Sequence, residues 1–284
     1  MGAAAAIALC AAAVLAWLLA GPVVAARRRK AAMARPLAPA VVSGIERNVP
    51  LRRLLPAELA ARHDALVSAF LAEKEFVGCG GLVVSEEIRA TIAALACLLV
   101  LGRRGHYDAL RSVLVYPSAF WVEDEVEDEA GVVERRRRDL SGEAWESSRI
   151  ILSWEDVLES ARFPGEGYNV ALHEFAHYLE AEGLGLAAPP ATWPRDAGSA
   201  DLAPGRARSL EAWSVDLVRE FEQTRDAMDR GAETFLDPYA AEDETEFFAV
   251  ATEDFYERPQ QLRAALPRLY ALLQEFYGLD PADW

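Results

Sequence analysis

Two histidines four residues apart, with a glutamate directly after the first, stand in Asn169-Val-Ala-Leu-His173-Glu174-Phe-Ala-His177-Tyr-Leu-Glu180. On a helix, positions i and i+4 share one face, so His173 and His177 can each turn a ring nitrogen toward one metal ion. Glu174 then lies beside that ion, where a carboxylate can serve as general base to a water. The chain has only four histidines (His63, His106, His173 and His177), and this motif takes two of them. Its surroundings are amphipathic: Val170, Leu172, Phe175, Ala176 and Leu179 flank a polar stripe of His173, Glu174, His177 and Glu180. The ion this H-E-x-x-H pattern implies is Zn²⁺, which in a catalytic site takes three protein ligands and keeps one position open.

The third ligand is not set by spacing. Where a longer H-E-x-x-H-x-x-G-x-x-H motif has its glycine and third histidine, this chain has Glu180 and Gly183. A carboxylate from elsewhere is expected, and Glu180, Glu211, Glu220, Glu222, Glu244, Glu246 and Glu253 are all candidates. Glu246 precedes Phe247-Phe248-Ala249-Val250, so it leads an apolar helix where a bound metal would offset its burial. It is equally suited to be the N3 partner of Asp243 in a helix cap.

The elements that must hold these residues can be read coarsely. A helix is expected from near Pro56, with Leu59, Leu66 and Phe70 on one face, and a buried helix through Thr91–Leu101 starts at Ser85 as N-cap. Short β runs are expected at Gly81–Val84, Ser112–Tyr116, Phe120–Val122 and Ile150–Ser153. Ser153 then opens a helix with Asp156 three residues on. The second half reads as helical: about 168–182 with Gly183 as stop, a loop to about Arg208, an amphipathic helix through Leu210, Trp213, Leu217 and Phe221, and helices near 243–257 and 259–277. The sum is an α+β body with a small early sheet and late helices.

Gly2 to Ala26 has no charged residue and Arg27-Arg28-Arg29-Lys30 comes directly after it. That run exceeds the roughly 20 residues a helix needs to cross a bilayer. A basic cluster behind it holds the downstream chain in the cytoplasm. The expectation is a retained single-pass anchor over 1–26 in the inner (cytoplasmic) membrane, a basic and Ala/Pro-rich linker over 27–50, and a cytoplasm-facing catalytic domain over 51–284. A signal peptide cut after Ala26 is the competing reading.

Length, charge and cysteines exclude other classes. The 284 residues suffice for a full core without staples. Net charge is −16; the first 50 residues hold six basic and one acidic residue, which leaves −21 on 51–284. Such a body is repelled by nucleic acid, so DNA and RNA are excluded as main partners. Cys10, Cys79 and Cys97 make no disulfide scaffold. The acidic run Glu123–Glu129 lacks the order of a calcium loop and reads as a strand end or cleft rim, with Arg135–Arg138 as its charge partner. Gly78-Cys79-Gly80-Gly81 lacks the Lys-Ser/Thr of a phosphate loop and reads as a turn.

From Phe70 onward the chain resembles the Mlc titration factor A family, zinc-dependent peptidases whose active-site region is similar to the catalytic domain of anthrax lethal factor. The resembling segments are FLAEKEF (70–76), LVYPSAFWVEDEVEDEAG (114–131), ILSW (151–154), YNVALHEFAHYLE (168–180) and PYAAEDETEFFAVATEDFY (238–256). The resemblance implies a zincin-like domain with a histidine–histidine–glutamate metal set, in which Glu246 is the third ligand, Glu174 the general base and Tyr239 a tyrosine that assists catalysis. Where the family commonly has Asp in support of the histidines, this chain has Glu180. It further implies peptide substrates and aminopeptidase-type activity. The family name also implies a different role, a regulatory protein that sequesters a transcriptional repressor.

Overall fold

In the computed structural model the described residues are 21, 23–103, 105–118, 121–127, 133–139, 148–181 and 210–284. A helix over 23–33 (α1) leads into α2 (Pro39–Asn48) and α3 (Ala57–Glu73), and α4 (Glu86–Leu99) comes after the first strand. Three parallel strands form one sheet in the order β1 (Glu75–Gly78), β2 (Ser112–Tyr116), β5 (Arg149–Ser153). In the chain between β2 and β5, β3 (Trp121–Glu127) and β4 (Val133–Asp139) form a separate antiparallel pair. The remainder is helical: α5 (Trp154–Arg162), α6 (Val170–Leu179), α7 (Leu210–Asp229), α8 (Glu244–Glu257), α9 (Pro259–Ala265) and α10 (Pro267–Tyr277). The architecture is thus mostly helical with a small parallel sheet.

Parallel strands need cover on their faces, and here helices supply it. Helix α4 is the centre of the core: Ala90 through Leu101 are all buried, and the Ser85 hydroxyl caps its start by accepting from Ile88 N at 3.2 Å. Its apolar run is a buried helix, as its length demands. A second core region gathers Trp213, Phe248, Phe276 and Tyr277, with Trp213 stacked on Phe276 at 5.4 Å between centroids. The indole N–H of Trp213 donates to Leu272 O at 2.9 Å, so burying this ring leaves no polar atom stranded.

Several expectations need correction. Residues 27–50 are not a bare linker: α1 and α2 fold there, and Val41, Ile45 and Val49 enter the core. Arg29 donates to both carboxylate oxygens of Glu73 at 2.8 and 3.0 Å and to Asp108 at 2.6 Å, which ties α1 to the body. The first strand is Glu75–Gly78, whereas Gly81–Val84 is not a strand. Gly80 and Gly81, both at positive φ, turn the chain off the sheet, and Val83 is left 85% exposed. One long C-terminal helix is broken into α9 and α10 at Pro267, because Leu266 must leave the helical region ahead of a proline.

The β3–β4 register sets Glu123 opposite Arg137, Asp124 opposite Arg136 and Glu125 opposite Arg135, so the acidic run and the arginine run lie on paired strands. The proposed anchor lies mainly in 1–20 and the Gly183 stop in 182–209, outside the described residues. Among the described residues no helix is long and apolar enough to cross a membrane.

Candidate metal centre

Helix α6 starts where the sequence says it should. Asn169 is its N-cap, and its side-chain oxygen accepts from Leu172 N at 3.2 Å. One face of α6 goes into the core. Phe175 lies edge-on to Phe70 (5.9 Å) and Tyr107 (5.2 Å), and Leu172, Ala176 and Leu179 are buried beside it. That packing fixes the helix's rotation, and the opposite stripe presents His173 and His177. Their rings meet edge to face, 4.6 Å between centroids.

Helix α8 packs across α6 and supplies the carboxylate. Asp243 caps α8, its Oδ1 accepting from Thr245 N (2.8 Å) and Glu246 N (2.9 Å). The cap engages the backbone of Glu246 and leaves its side chain free to reach the histidines, so the two sequence readings of Glu246 coexist. Glu246 Oε2 lies 3.1 Å from His173 Nε2 and 3.2 Å from His177 Nε2, and the two Nε2 atoms are 3.0 Å apart. Among the described residues, His173, His177 and Glu246 form the one cluster whose donor atoms converge in this way.

The donor set suits a metal ion. Two imidazole nitrogens and a carboxylate oxygen, each about 2.0–2.2 Å from one tetrahedral zinc, would lie about 3.3–3.5 Å from one another. The observed triangle is close to that spacing. At 3.0 Å the two Nε2 atoms need either a hydrogen on one ring or a cation bound by both. Burial alone would lower the proton affinity of His173, but its hydrogen bonds to Glu246 and Glu253 outweigh it and raise the pKa to about 10. Burial likewise works to raise that of Glu246, and the bonds from His173 and His177 hold it far below the usual carboxylate range.

Glu174 is buried on α6, and its charge acts on both His173 and Tyr239. Tyr239 sits in a short 3-10 turn, Pro238–Ala241, whose cap Asp237 accepts from Tyr239 N at 2.9 Å. Its ring centroid is 6.0 Å from that of His173, and the residue is 43% exposed, at the rim of the centre. Burial of the hydroxyl end, then the negative charges of Glu246 and Glu242, push its pKa well up, so the phenol keeps its proton. His173, His177 and Glu246 thus converge, with Glu174 and Tyr239 beside them.

Glu253, a candidate ligand by sequence, has a different place. It lies about two turns beyond Glu246 and does not join the triangle; its Oε1 takes the Nδ1 side of His173 at 2.8 Å. The sequence did hold a signal for it. Residues seven apart on a helix return to within about 20° of the same face, so Glu246 and Glu253 had to look the same way. Glu180, the expected support for the histidines, is buried at the C-cap of α6.

Over 256 residues the chain is 31% identical to the uncharacterized protein slr2042 of Synechocystis, covering 89% of each. It is 34% identical over 237 residues to Mlc titration factor A of Serratia proteamaculans (82% of this chain, 85% of that one) and 33% over 242 residues to that of Salmonella agona (83% and 84%). The model of the family described as glucose-regulated metallo-peptidase M90 matches residues 23–278, a span that includes the whole centre. The chain belongs to the glucose-regulated metallo-peptidase M90 family.

Proposed function

We propose that the chain is a zinc-dependent peptidase of aminopeptidase type, a gluzincin-like enzyme in which His173, His177 and Glu246 hold the metal. The observation that carries this reading is the convergence of their three donor atoms within 3.2 Å of one another. When bound, zinc supplies Lewis-acid polarisation of a carbonyl and lowers the pKa of a water toward about 7. Glu174 takes a proton from the attacking water at its carboxylate and later releases it to the leaving amine. The Tyr239 phenol, kept protonated by its acidic neighbours, donates a hydrogen bond to the oxygen on which negative charge develops.

The test is direct. The purified full-length chain should bind about one zinc and cleave a peptide library, and a chelator should abolish cleavage. Free-amine peptides should be cleaved in preference to N-acetylated ones. Cleavage indifferent to acetylation would overturn the aminopeptidase part and leave the peptidase standing. Failure to bind zinc would overturn the whole.

A second reading draws on the relatives' name, Mlc titration factor A. In it the chain sequesters a transcriptional repressor and hydrolysis is secondary. A repressor that still binds a Glu174→Gln protein would support it. The uncharged run before Arg27 supports tethering in the inner membrane with the catalytic domain in the cytoplasm. A full-length chain retained in the membrane fraction, with a C-terminal reporter active only in the cytoplasm, is the expected result. A shortened protein outside the inner membrane would mark a cleaved signal peptide instead.

A further inference from the structure

We propose that Glu253 is a positioning residue of the metal centre: a buried carboxylate that fixes which ring nitrogen of His173 faces the metal, and ties that histidine to the first turn of its own helix. The proposal rests on the metal reading above. Helices α6 and α8 run antiparallel across each other, and each presents one polar stripe. On α6 the stripe is Asn169, His173 and His177, four residues apart each time. On α8 it is Glu246, Glu253 and Glu257, which return close to one line along the helix. The two stripes meet rung by rung: Glu246 on both histidines, Glu253 on His173 and Asn169, Glu257 on Asn169.

The middle rung has a particular logic. Glu253 is 2% exposed, and each of its oxygens has a different donor. Oε1 faces His173 Nδ1 at 2.8 Å, and Oε2 accepts from Asn169 N at 2.5 Å. With Oε2 taken by the Asn169 N–H, Oε1 is the oxygen left to accept from Nδ1, an arrangement that pairs with the His173 form carrying its hydrogen on Nδ1 and leaves the Nε2 lone pair for a metal. Asn169 N is one of the amides at the start of α6 that no intrahelical carbonyl can satisfy. One side chain thus sets the ring's tautomer, its rotation and the end of the helix that carries it.

Glu253→Gln separates this role from packing. Glutamine has the same shape but only one acceptor oxygen. If that oxygen stays on Asn169 N, the amide NH₂ faces Nδ1, makes Nδ1 the acceptor and moves the hydrogen onto Nε2, where it blocks the metal. If the oxygen turns to His173, the NH₂ confronts the Asn169 amide hydrogen. Zinc affinity, measured on the full-length chain by competition with a chelator at fixed pH, should fall about 10–100-fold. The thermal midpoint of the metal-free protein should move little. Glu253→Asp keeps the carboxylate and should recover part of the affinity. Glu257→Gln, which touches Asn169 and Gly165 but not His173, should stay within about threefold of wild type.

Zinc affinity of Glu253→Gln within twofold of wild type would overturn the proposal. So would equal losses in Glu253→Gln and Glu257→Gln that track lost stability. If Glu253→Gln does not fold, unchanged affinity in Glu253→Asp overturns it. A wild-type chain without zinc affinity overturns the metal reading itself, whereas a wild type that binds and an indifferent Glu253→Gln overturn this inference alone.

Discussion

Three carboxylates and a phenol crowd around two imidazoles, and substitution should tell their tasks apart. Glu174 is placed as base and not as ligand, so Glu174→Gln should retain zinc while peptide hydrolysis drops by about 10²–10⁴-fold. Glu246→Gln removes the one charged ligand and should weaken the metal itself, visible as zinc lost on dialysis. Tyr239→Phe keeps the ring 6.0 Å from His173 and loses only the hydroxyl. Its expected signature is a reduced kcat with metal content unchanged. Wild-type hydrolysis by Glu174→Gln would leave the sequestering role as the better account. Of these side chains the histidines and Glu174 were legible from spacing alone, because four residues on a helix is a fixed distance. Glu246 was legible only by resemblance, since which of seven carboxylates crosses to α6 is decided by packing between helices.

At the scale of elements, α6 was readable because its cap, its apolar face and its polar stripe all agree. Asn169 does more than cap: it accepts from Leu172 N, donates its amide to Glu257 Oε1 at 3.0 Å and gives its backbone N–H to Glu253. Asn169→Ala keeps only the last of these. It should destabilise the protein by about 1–3 kcal/mol, the sum of a lost cap and a buried carboxylate left short of a donor. Denaturant unfolding measures it, and a loss below a few tenths of a kcal/mol would show that α6 is held by its apolar face alone. The elements that escaped the sequence did so for physical reasons. Strand β1 is four residues at a sheet edge with no buried alternation, so it carries no period-2 signal. Helix α2 hides in an Ala/Pro-rich stretch, and only its packing on α4 makes Val41 and Ile45 core residues. Pro267 was visible, but its break falls inside an otherwise continuous helical pattern.

For the whole molecule, the acidic balance seen in composition continues into the interior. Glu253, Asp254 and Glu257 are all buried near the C-terminal end of α8, with Arg258 donating to Asp254 at 2.5 Å. Burial pushes Asp254 up to about 6 despite that arginine. It pushes Glu257 up to about 7 despite the bonds from Gly165 N and Asn169. A carboxyl whose folded pKa lies above its unfolded value binds more protons in the folded state across that interval. Unfolding free energy then falls as pH rises, because its slope tracks protons bound unfolded minus protons bound folded. For Glu257 the interval runs from about 4.5 to about 7, worth on the order of 2–3 kcal/mol. The metal-free protein should therefore be more stable near pH 5 than near pH 7, contrary to a protein whose carboxylates are well paired. Glu257→Gln has no charge to bury and should flatten that part of the profile by a similar amount. Urea unfolding at pH 5, 6 and 7 on both proteins decides it. Parallel profiles would mean that Glu257 stays ionised, and that the two donors from the α6 entrance outweigh the cost of burying its charge.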